Sequence, residues 1–430
     1  MSHTLFAARA FGWQPHRSAA PVPADLPSPE PRRVIAVLGE SGAGKSLALR
    51  AWARRHGAVV APTGPLPANK PVLELFPPGD SAAVLRALSS CGLADGRLWA
   101  LPVRCLSAGE QQRLRVALAL HAGARWLVLD EFDAHLDAFS ACALAQALAR
   151  LAARAGLCMA ISTHRPEVLP FLAPAAVVRL GDGAATREAP PPAADLMQRL
   201  EIAPGSLTDW RNFARWHYLG EGRPGPSSAV FVGRLGGRPV GIAMFGYPHL
   251  WLKARALALP RFAPSALRAT GPAPLNEHVR LLQRIVVDPR VRGLGVAQAL
   301  LAHSLPRLGL PFVECLAQLG AFSGFLSAAG FRHVTDLEPH PQARALLTLL
   351  HKLGLEPAAV ATAAARRRTL AALPAPEAAQ LGRRLEALLR SRIQTGCGAL
   401  RRAPRRHEGL LDAAVARLHC RPTYFLWERP

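Results

Sequence analysis

The sequence is poor in lysine, tyrosine, methionine and acidic side chains. Lys45, Lys70, Lys253 and Lys352 are its only lysines, so the 52 basic residues are nearly all arginine; they outnumber 29 acidic ones for a formal charge of +23. Such a balance argues against an acidic, solvating chain and favours a polyanionic partner, chiefly nucleic acid. An Ala-, Pro- and Arg-rich chain from a GC-rich genome would show the same excess. The cysteines (Cys91, Cys105, Cys142, Cys158, Cys315, Cys397, Cys420) are odd in number and form no CxxC pair, which argues against a disulfide framework or a cysteine metal site. No window approaches the ~18 uninterrupted apolar residues of a membrane span. Met1-Ser2-His3-Thr4 opens no basic segment followed by an apolar core, so no secretory signal is expected. The expectation is a cytoplasmic protein that needs no membrane.

What is present is enough apolar residue, 50% of 430, for two or three cores. Residues 1–33 are Pro-rich and read as an N-terminal arm, in which Phe11 or Trp13 could stack on an adenine or simply pack. The β-branched run Val34-Ile35-Ala36-Val37-Leu38 then ends in Gly39-Glu40-Ser41-Gly42-Ala43-Gly44-Lys45-Ser46 and passes into Leu47-Ala48-Leu49-Arg50. Strand, glycine-rich turn and helix in this order make a phosphate-binding loop. The glycines let successive backbone N–H groups, including those of Ser41 and Ala43, face one centre, and the helix starting near Lys45 adds its positive end. Lys45 would reach the β- and γ-phosphates and the Ser46 hydroxyl would take a place on Mg²⁺.

Four later landmarks resemble the ABC ATPases. Leu106-Ser107-Ala108-Gly109-Glu110-Gln111-Gln112-Arg113 has the form of their signature and opens a helical stretch over Leu114 to Leu120. Trp126-Leu127-Val128-Leu129-Asp130-Glu131 is a buried-strand pattern ending in two acids. Ala134-His135-Leu136-Asp137 is similar to the D-loop, and His164 follows the strand Leu157 to Ile161. The resemblance implies ATP held by Gly39, Ser41, Gly42, Ala43, Gly44, Lys45 and Ser46, with Mg²⁺ on Ser46 and Asp130. It makes Glu131 the water-activating base and His164 the switch residue at the γ-phosphate. It also implies a composite site, in which Ser107 and Gly109 of one protomer close on the nucleotide of another, and hence a homodimer or a partner ATPase. Two departures stand out. No glutamine occurs from Ser46 to Glu110, where such ATPases carry one, leaving Asn69 or Glu74 as stand-ins, and that same segment is short for a transporter subunit.

Ala189-Pro190-Pro191-Pro192 marks a linker over 189–200. Beyond it, Ala229 to Leu235 and Arg238 to Met244 flank Gly236-Gly237, a hairpin signal. Leu281 to Val287 reads as a buried strand leading into Asp288-Pro289-Arg290-Val291-Arg292-Gly293-Leu294-Gly295-Val296, a helix over Ala297 to Leu305, and a strand over Phe312 to Leu316. This pattern resembles the Gcn5-related N-acetyltransferases, or GNAT family. It implies an acyl-CoA pyrophosphate cupped by residues from Val286 and Val287 through Arg290, Val291, Arg292, Gly293, Leu294, Gly295 and Val296. Family members often carry a tyrosine general acid near the position of Phe325, and this chain has none there. Glu277, His278, Glu314, Cys315 and Ser323 are the candidates for acid or base. Trp210 to Tyr218 interleaves Arg with aromatics, which suits nucleic-acid stacking or packing on the sheet, and its His217-Tyr218 resembles the phage Mom proteins that modify DNA adenine.

In the last segment, Pro341 to Leu353 and Pro376 to Ile393 carry Leu at helical spacing. The 16 Arg and Lys against 6 Asp and Glu in 341–430 make it the most basic region and the expected nucleic-acid footprint, with Arg366-Arg367-Arg368, Arg383-Arg384, Arg401-Arg402 and Arg405-Arg406. The expected architecture is α/β. A P-loop ABC-type ATPase domain (34–188) is followed by a GNAT-like α+β acetyltransferase domain (201–340) and a basic, mainly helical C-terminal region (341–430). The order resembles ABC-type ATPases fused to a predicted acetyltransferase. That implies ATP, Mg²⁺ and acetyl-CoA or another acyl-CoA as cofactors, and a tRNA or DNA base as acceptor. The alternatives are a nucleic-acid-handling ATPase with the second domain as a binding module, or a transporter ATP-binding subunit.

Overall fold

The computed structural model describes residue 10 and residues 26–62, 64–181, 184–217, 225–390, 404–415, 418 and 421–430. The chain divides into two compact units: Met1–Arg199 with Pro289–Leu294, and Leu200–Asp288 with Gly295–Pro430. Phe11, Trp13, Tyr218, Arg401 and Arg402 lie outside the described residues, as do the side chains of Arg405 and Arg406.

The first unit is built on strands β1 (Val34–Gly39), β2 (Val59–Val60), β3 (Trp126–Leu129), β4 (Cys158–Thr163), β5 (Ala176–Gly181) and β6 (Ala184–Glu188) in the order β2-β3-β4-β1-β5-β6. Every neighbouring pair is parallel except β5 with β6. Parallel strands are covered on both faces and so read as unbroken apolar runs; β1 and β4 are buried at every residue. The helix Lys45–His56 seats Leu49 and Trp52 on Ile35, Val37, Val128 and Ala160. The helices Ala108–His121 and Ala138–Ala155 complete the larger crossovers. The carboxyl ends of β1, β3 and β4 carry Gly39–Ser46, Asp130-Glu131 and Ser162–His164. Those ends are where open α/β sheets place ligands.

The second unit holds β7 (Leu200–Pro204), β8 (Ser227–Leu235), β9 (Arg238–Gly246), β10 (Val279–Val287), β11 (Phe312–Ala317), β12 (Arg332–Asp336) and β13 (Thr423–Glu428), ordered β12-β13-β11-β10-β9-β8-β7. β7 to β10 form an antiparallel meander, with Gly236 and Gly237 at φ 54° and 76° in the β8–β9 turn, the left-handed pair a tight hairpin requires. The helix Val296–Arg307 then carries the chain to β11, parallel to β10. It packs so close to β9 that a Cβ at Gly241 would stand 2.8 Å from Leu300 and 2.9 Å from Val296.

Two features differ from the sequence reading. The helices Pro341–Lys352 and Ala375–Arg390 form as their Leu spacing requires and share a core with Leu346, Leu381 and Leu385. The end of the chain is not helical, however: β13 lies between β11 and β12, antiparallel to both. The unbroken apolar run Tyr424-Phe425-Leu426-Trp427, buried at every residue, is the signal that reading missed. The Trp210 stretch forms two short 3-10 turns that bury Trp210 and Phe213 on Val230, Val232, Ile242 and Met244. Those two rings are core, and no stacking platform for bases.

Candidate functional site

The turn after β1 has the conformation its glycines require. Gly42 and Gly44 have φ 87° and 88°, and a Cβ at Gly39 would lie 2.6 Å from the Leu180 carbonyl oxygen. The helix Lys45–His56 begins with neither a side-chain cap nor an acidic residue in its first turn, so its leading N–H groups point outward uncapped. Lys45 is 4% exposed, and its Nζ donates to the carbonyls of Gly39 and Glu40, both at 2.8 Å. It also stands 3.8 Å from Glu131 Oε1. The loop is thus closed on its own lysine.

The ends of β3 and β4 are stitched together. Ser162 Oγ donates to Asp130 Oδ1 at 2.6 Å and accepts from the Glu131 N–H at 2.8 Å. Glu131 sits at φ 46°, a left-handed conformation that costs about 1 kcal/mol or more in a non-glycine residue and concentrates at functional sites. The Ser162 contact holds it there. Thr163 Oγ1 donates to the fully buried Asp133 Oδ2 at 2.6 Å and accepts from the Arg165 N–H at 2.9 Å, while Arg165 Nη1 donates to the Leu136 carbonyl at 2.8 Å. Exposed His164 is therefore flanked on both sides by ties to residues 133–136. Burial holds the Asp133 carboxyl above the ordinary carboxylate range, against the pull of the Thr163 hydrogen bond. Asp137 caps Ala138–Ala155, and the Ser140 hydroxyl and N–H hold its carboxyl below that range. These ties gather Lys45, Asp130, Glu131 and His164 around the same strand ends. Ser162 and Thr163, which tie the acids to the strand end, are positions the sequence reading passed over, although Ser-Thr at a strand end beside two acids is visible there.

Ser107 caps the helix Ala108–His121 in a reciprocal box with Glu110, whose Oε2 accepts from the Ser107 N–H at 2.9 Å and hydroxyl at 2.8 Å. Gly109 lies against Leu136, where a Cβ would meet Cδ2 at 3.6 Å. Of the two stand-ins for glutamine, Asn69 accepts from Arg104 and Glu74 is an exposed residue of a 3-10 turn. Among the described residues, neither has a side-chain hydrogen bond or ion pair to the loop.

Pro289–Leu294 belongs to this first unit. Buried Arg113, the last residue of the signature stretch, donates to the carbonyls of Cys91 at 3.0 Å and Arg290 at 3.1 Å. Burial pulls its guanidinium down to about 10. Arg292 pairs with Asp95 at 3.4 Å, the two 12% and 5% exposed, and the Arg290 guanidinium lies 5.7 Å from the Phe139 ring centroid. Arg150 donates to the Leu294 carbonyl, Val291 and Leu294 are fully buried, and Gly293, at φ 88°, lines a small cavity with Cys91, Arg113, Ala147 and Leu148. The two arginines that the resemblance assigns to a pyrophosphate thus have partners inside the unit.

In the second unit, β10 and β11 pair only over Val279–Leu281 and Phe312–Glu314, while on their other edges β10 runs on to Val287 along β9 and β11 to Ala317 along β13. The parallel strands therefore part towards their carboxyl ends. Helix Val296–Arg307 starts on that side at Gly295, φ 91°, again with no side-chain cap or acidic first turn. Val286 is in the core, Val287 ends β10 and Val296 opens the helix.

Of the acid and base candidates, Glu314 is spent on a bidentate ion pair with Arg255, at 2.8 and 2.9 Å with both side chains 0% exposed, and accepts from the Tyr424 hydroxyl at 3.2 Å. Cys315 is buried and its thiol is pushed up to about 12, so it offers no thiolate. His278 Nδ1 lies 2.8 Å from the Pro274 carbonyl and its ring packs on Phe262. Glu277 is exposed and Ser323 half-buried.

No protein-family profile matches the chain. Over 88 residues it is 39% identical to methionine import ATP-binding protein MetN 3 of Pseudomonas fluorescens, a match covering 20% of this chain. The chain spans 26% of that relative's length. Among solved structures it is similar to a nucleotide-free ATP-binding cassette from an ABC transporter, at 18% identity and TM-score 0.33 over 37% of this chain and 83% of that one. It is also similar to cbiO1 from Clostridium perfringens, part of an ABC transporter complex, at 22% identity and TM-score 0.33 over 37% of this chain and 78% of that one. The protein is an α/β chain, part of which is like an ATP-binding cassette.

Proposed function

We propose that the chain is an ABC-type ATPase coupled to a GNAT-like, acyl-CoA-dependent N-acyltransferase whose acceptor is a nucleic-acid base. In the first unit, the uncapped helix after Gly44 and the backbone cradle of Gly39–Ser46 hold the ATP phosphates. Among the described residues no cluster of three or more His, Cys, Asp or Glu is set to hold a metal. Mg²⁺ would rest on the hard oxygens of Ser46 and Asp130 together with phosphate and water, a donor set that suits this ion. Bound there it would neutralise phosphate charge. Glu131, 47% exposed and fixed through its backbone by Ser162, activates water, and His164 meets the γ-phosphate. Ser107 and Gly109 complete the site of a second protomer in the ATP-bound homodimer.

The observation that carries the transferase half is the parting of β10 and β11, with an uncapped helix N-terminus at Gly295. A crevice outside the carboxyl ends of parallel strands, floored by a positive helix end, suits a pyrophosphate with a thin acyl-bearing arm between the strands. With Glu314 and Cys315 withdrawn by burial, the domain works mainly by positioning acceptor and thioester. The test is calorimetric titration of the full chain with acetyl-CoA. Stoichiometric binding is expected, and Gly295→Val, which cannot relax at φ 91°, should abolish it.

A second reading is favoured by one observation, that Arg113 and Asp95 engage Arg290 and Arg292. In it the second unit is a binding or regulatory module of a nucleic-acid-handling ATPase. Absence of acetyl-CoA binding in the wild-type chain decides for that reading.

A further inference from the structure

The described residues expose nine large hydrophobic side chains, and four of them fall in one stretch of the second unit: Tyr247 at 50%, Leu250 at 38%, Trp251 at 63% and Leu257 at 69%. Tyr247 and Trp251 are the only aromatics among the nine. Each ring already carries a cation: the Arg280 guanidinium lies 5.0 Å from the Tyr247 centroid and that of Arg268 lies 5.8 Å from the Trp251 centroid.

This stretch is not a loose loop. Arg255, which pairs with Glu314 in the interior, also donates from Nη2 to the His249 carbonyl at 2.6 Å, between the two exposed aromatics in sequence. Leu252 and Ala254 pack on the buried ring of Tyr424, whose hydroxyl donates to Glu314. A buried ion pair is weak evidence for stability, because desolvating both charges offsets most of their attraction. It does fix geometry. Here it anchors to the sheet a segment whose outward face is apolar, which makes no sense for folding alone.

We propose that Tyr247 and Trp251, with Arg268, Arg280 and exposed Lys253, form a docking platform for single-stranded nucleic acid, two unpaired bases stacking on the rings while the cations meet flanking phosphates. Charge complementarity chooses this occupant: from Tyr247 to Arg280 the sequence holds Lys253, Arg261, Arg268 and Arg280 beside the neutralised Arg255, against Glu277 as the remaining acid. Aromatic faces stack on any base, and a base must be unpaired to reach them, so single strands are preferred over duplex. The platform rests on the nucleic-acid reading above and gives it a location distinct from the basic helices of 341–430.

The experiment measures fluorescence anisotropy of the full chain with a labelled 20-nucleotide single-stranded RNA, the same sequence as DNA, and its duplex, across a salt series. Expected are preference for single strands, a loss of about 5- to 100-fold for Trp251→Ala and for Tyr247→Ala, and near-complete rescue by Trp251→Phe. Arg268→Ala should lower the salt slope by about 0.7. All three positions are exposed, and the circular dichroism spectrum and melting temperature of each variant serve as the folding control. If the wild type binds single strands and both alanine variants bind within twofold of it, the platform is wrong while nucleic-acid binding stands. If the wild type binds no nucleic acid, both fall. If instead vesicles containing phosphatidylserine bind and Trp251→Ala releases them, the surface is a membrane contact and the proposal is overturned.

Discussion

Replacing Arg113 by Met tests how Pro289–Leu294 is held. The side chain keeps most of its length and loses both donors, leaving the Cys91 and Arg290 carbonyls without the guanidinium. Two charge-assisted hydrogen bonds contribute about 3–6 kcal/mol in total. Against this, burial pulls the Arg113 pKa down to about 10, a cost of holding the cation there that the variant does not carry. The two effects oppose each other in global stability, so a melting temperature is a poor readout. They do not offset locally, because the Arg290 carbonyl loses its tie whatever happens to the rest of the fold. Hydrogen exchange read by mass spectrometry should show peptides covering 289–294 exchanging about 10- to 100-fold faster in Arg113→Met, with those of β1 and β4 unchanged. Equal protection in variant and wild type would refute the claim that the signature helix holds this segment.

Other outcomes follow from the same contacts. Glu131→Gln should lower ATP turnover by about 10²- to 10⁴-fold and accumulate an ATP-bound dimer on light scattering, whereas a variant that stays monomeric with Mg-ATP contradicts the composite site. For Asp133, the folded-state pKa lies above its unfolded value, so the folded form pays a charge penalty at neutral and high pH that disappears as pH falls through the folded pKa. Urea unfolding should accordingly show the stability of Asp133→Asn relative to wild type greatest near pH 8 and declining towards pH 4; a difference that grows on acidification runs against the burial argument.

What was legible in the sequence was what local chemistry dictates. A β-branched run ending in Gly-rich Lys-Ser, a Ser107/Glu110 capping box ahead of an Ala/Leu helix, and an apolar strand ending in Asp130-Glu131 each specify their own geometry within about ten residues. The Gly236-Gly237 hairpin and the Gly295 helix start were legible for the same reason. Long-range pairings were not. Nothing near Glu314 announces that Arg255 and Tyr424 will neutralise and bury it, and the strand Thr423–Glu428 reaches its place in the sheet only after a helical excursion. Likewise, nothing near Arg290 and Arg292, which the resemblance gives to a pyrophosphate, announces that Arg113, Phe139 and Asp95 will engage them from far away in sequence. The Trp210 stretch shows the reverse: arginines among aromatics suggest a nucleic-acid surface, but rings at 4% and 0% exposure belong to the core.

The central claim is that ATP hydrolysis in one half drives acyl transfer to nucleic acid by the other. Its most direct test incubates the purified full chain with bulk tRNA or single-stranded DNA, isotope-labelled acetyl-CoA and Mg-ATP, then digests to nucleosides for mass spectrometry. The account predicts a labelled acyl-nucleoside that depends on ATP and is lost in Lys45→Ala. An ATPase-active protein that neither binds acetyl-CoA nor labels any nucleoside would contradict it.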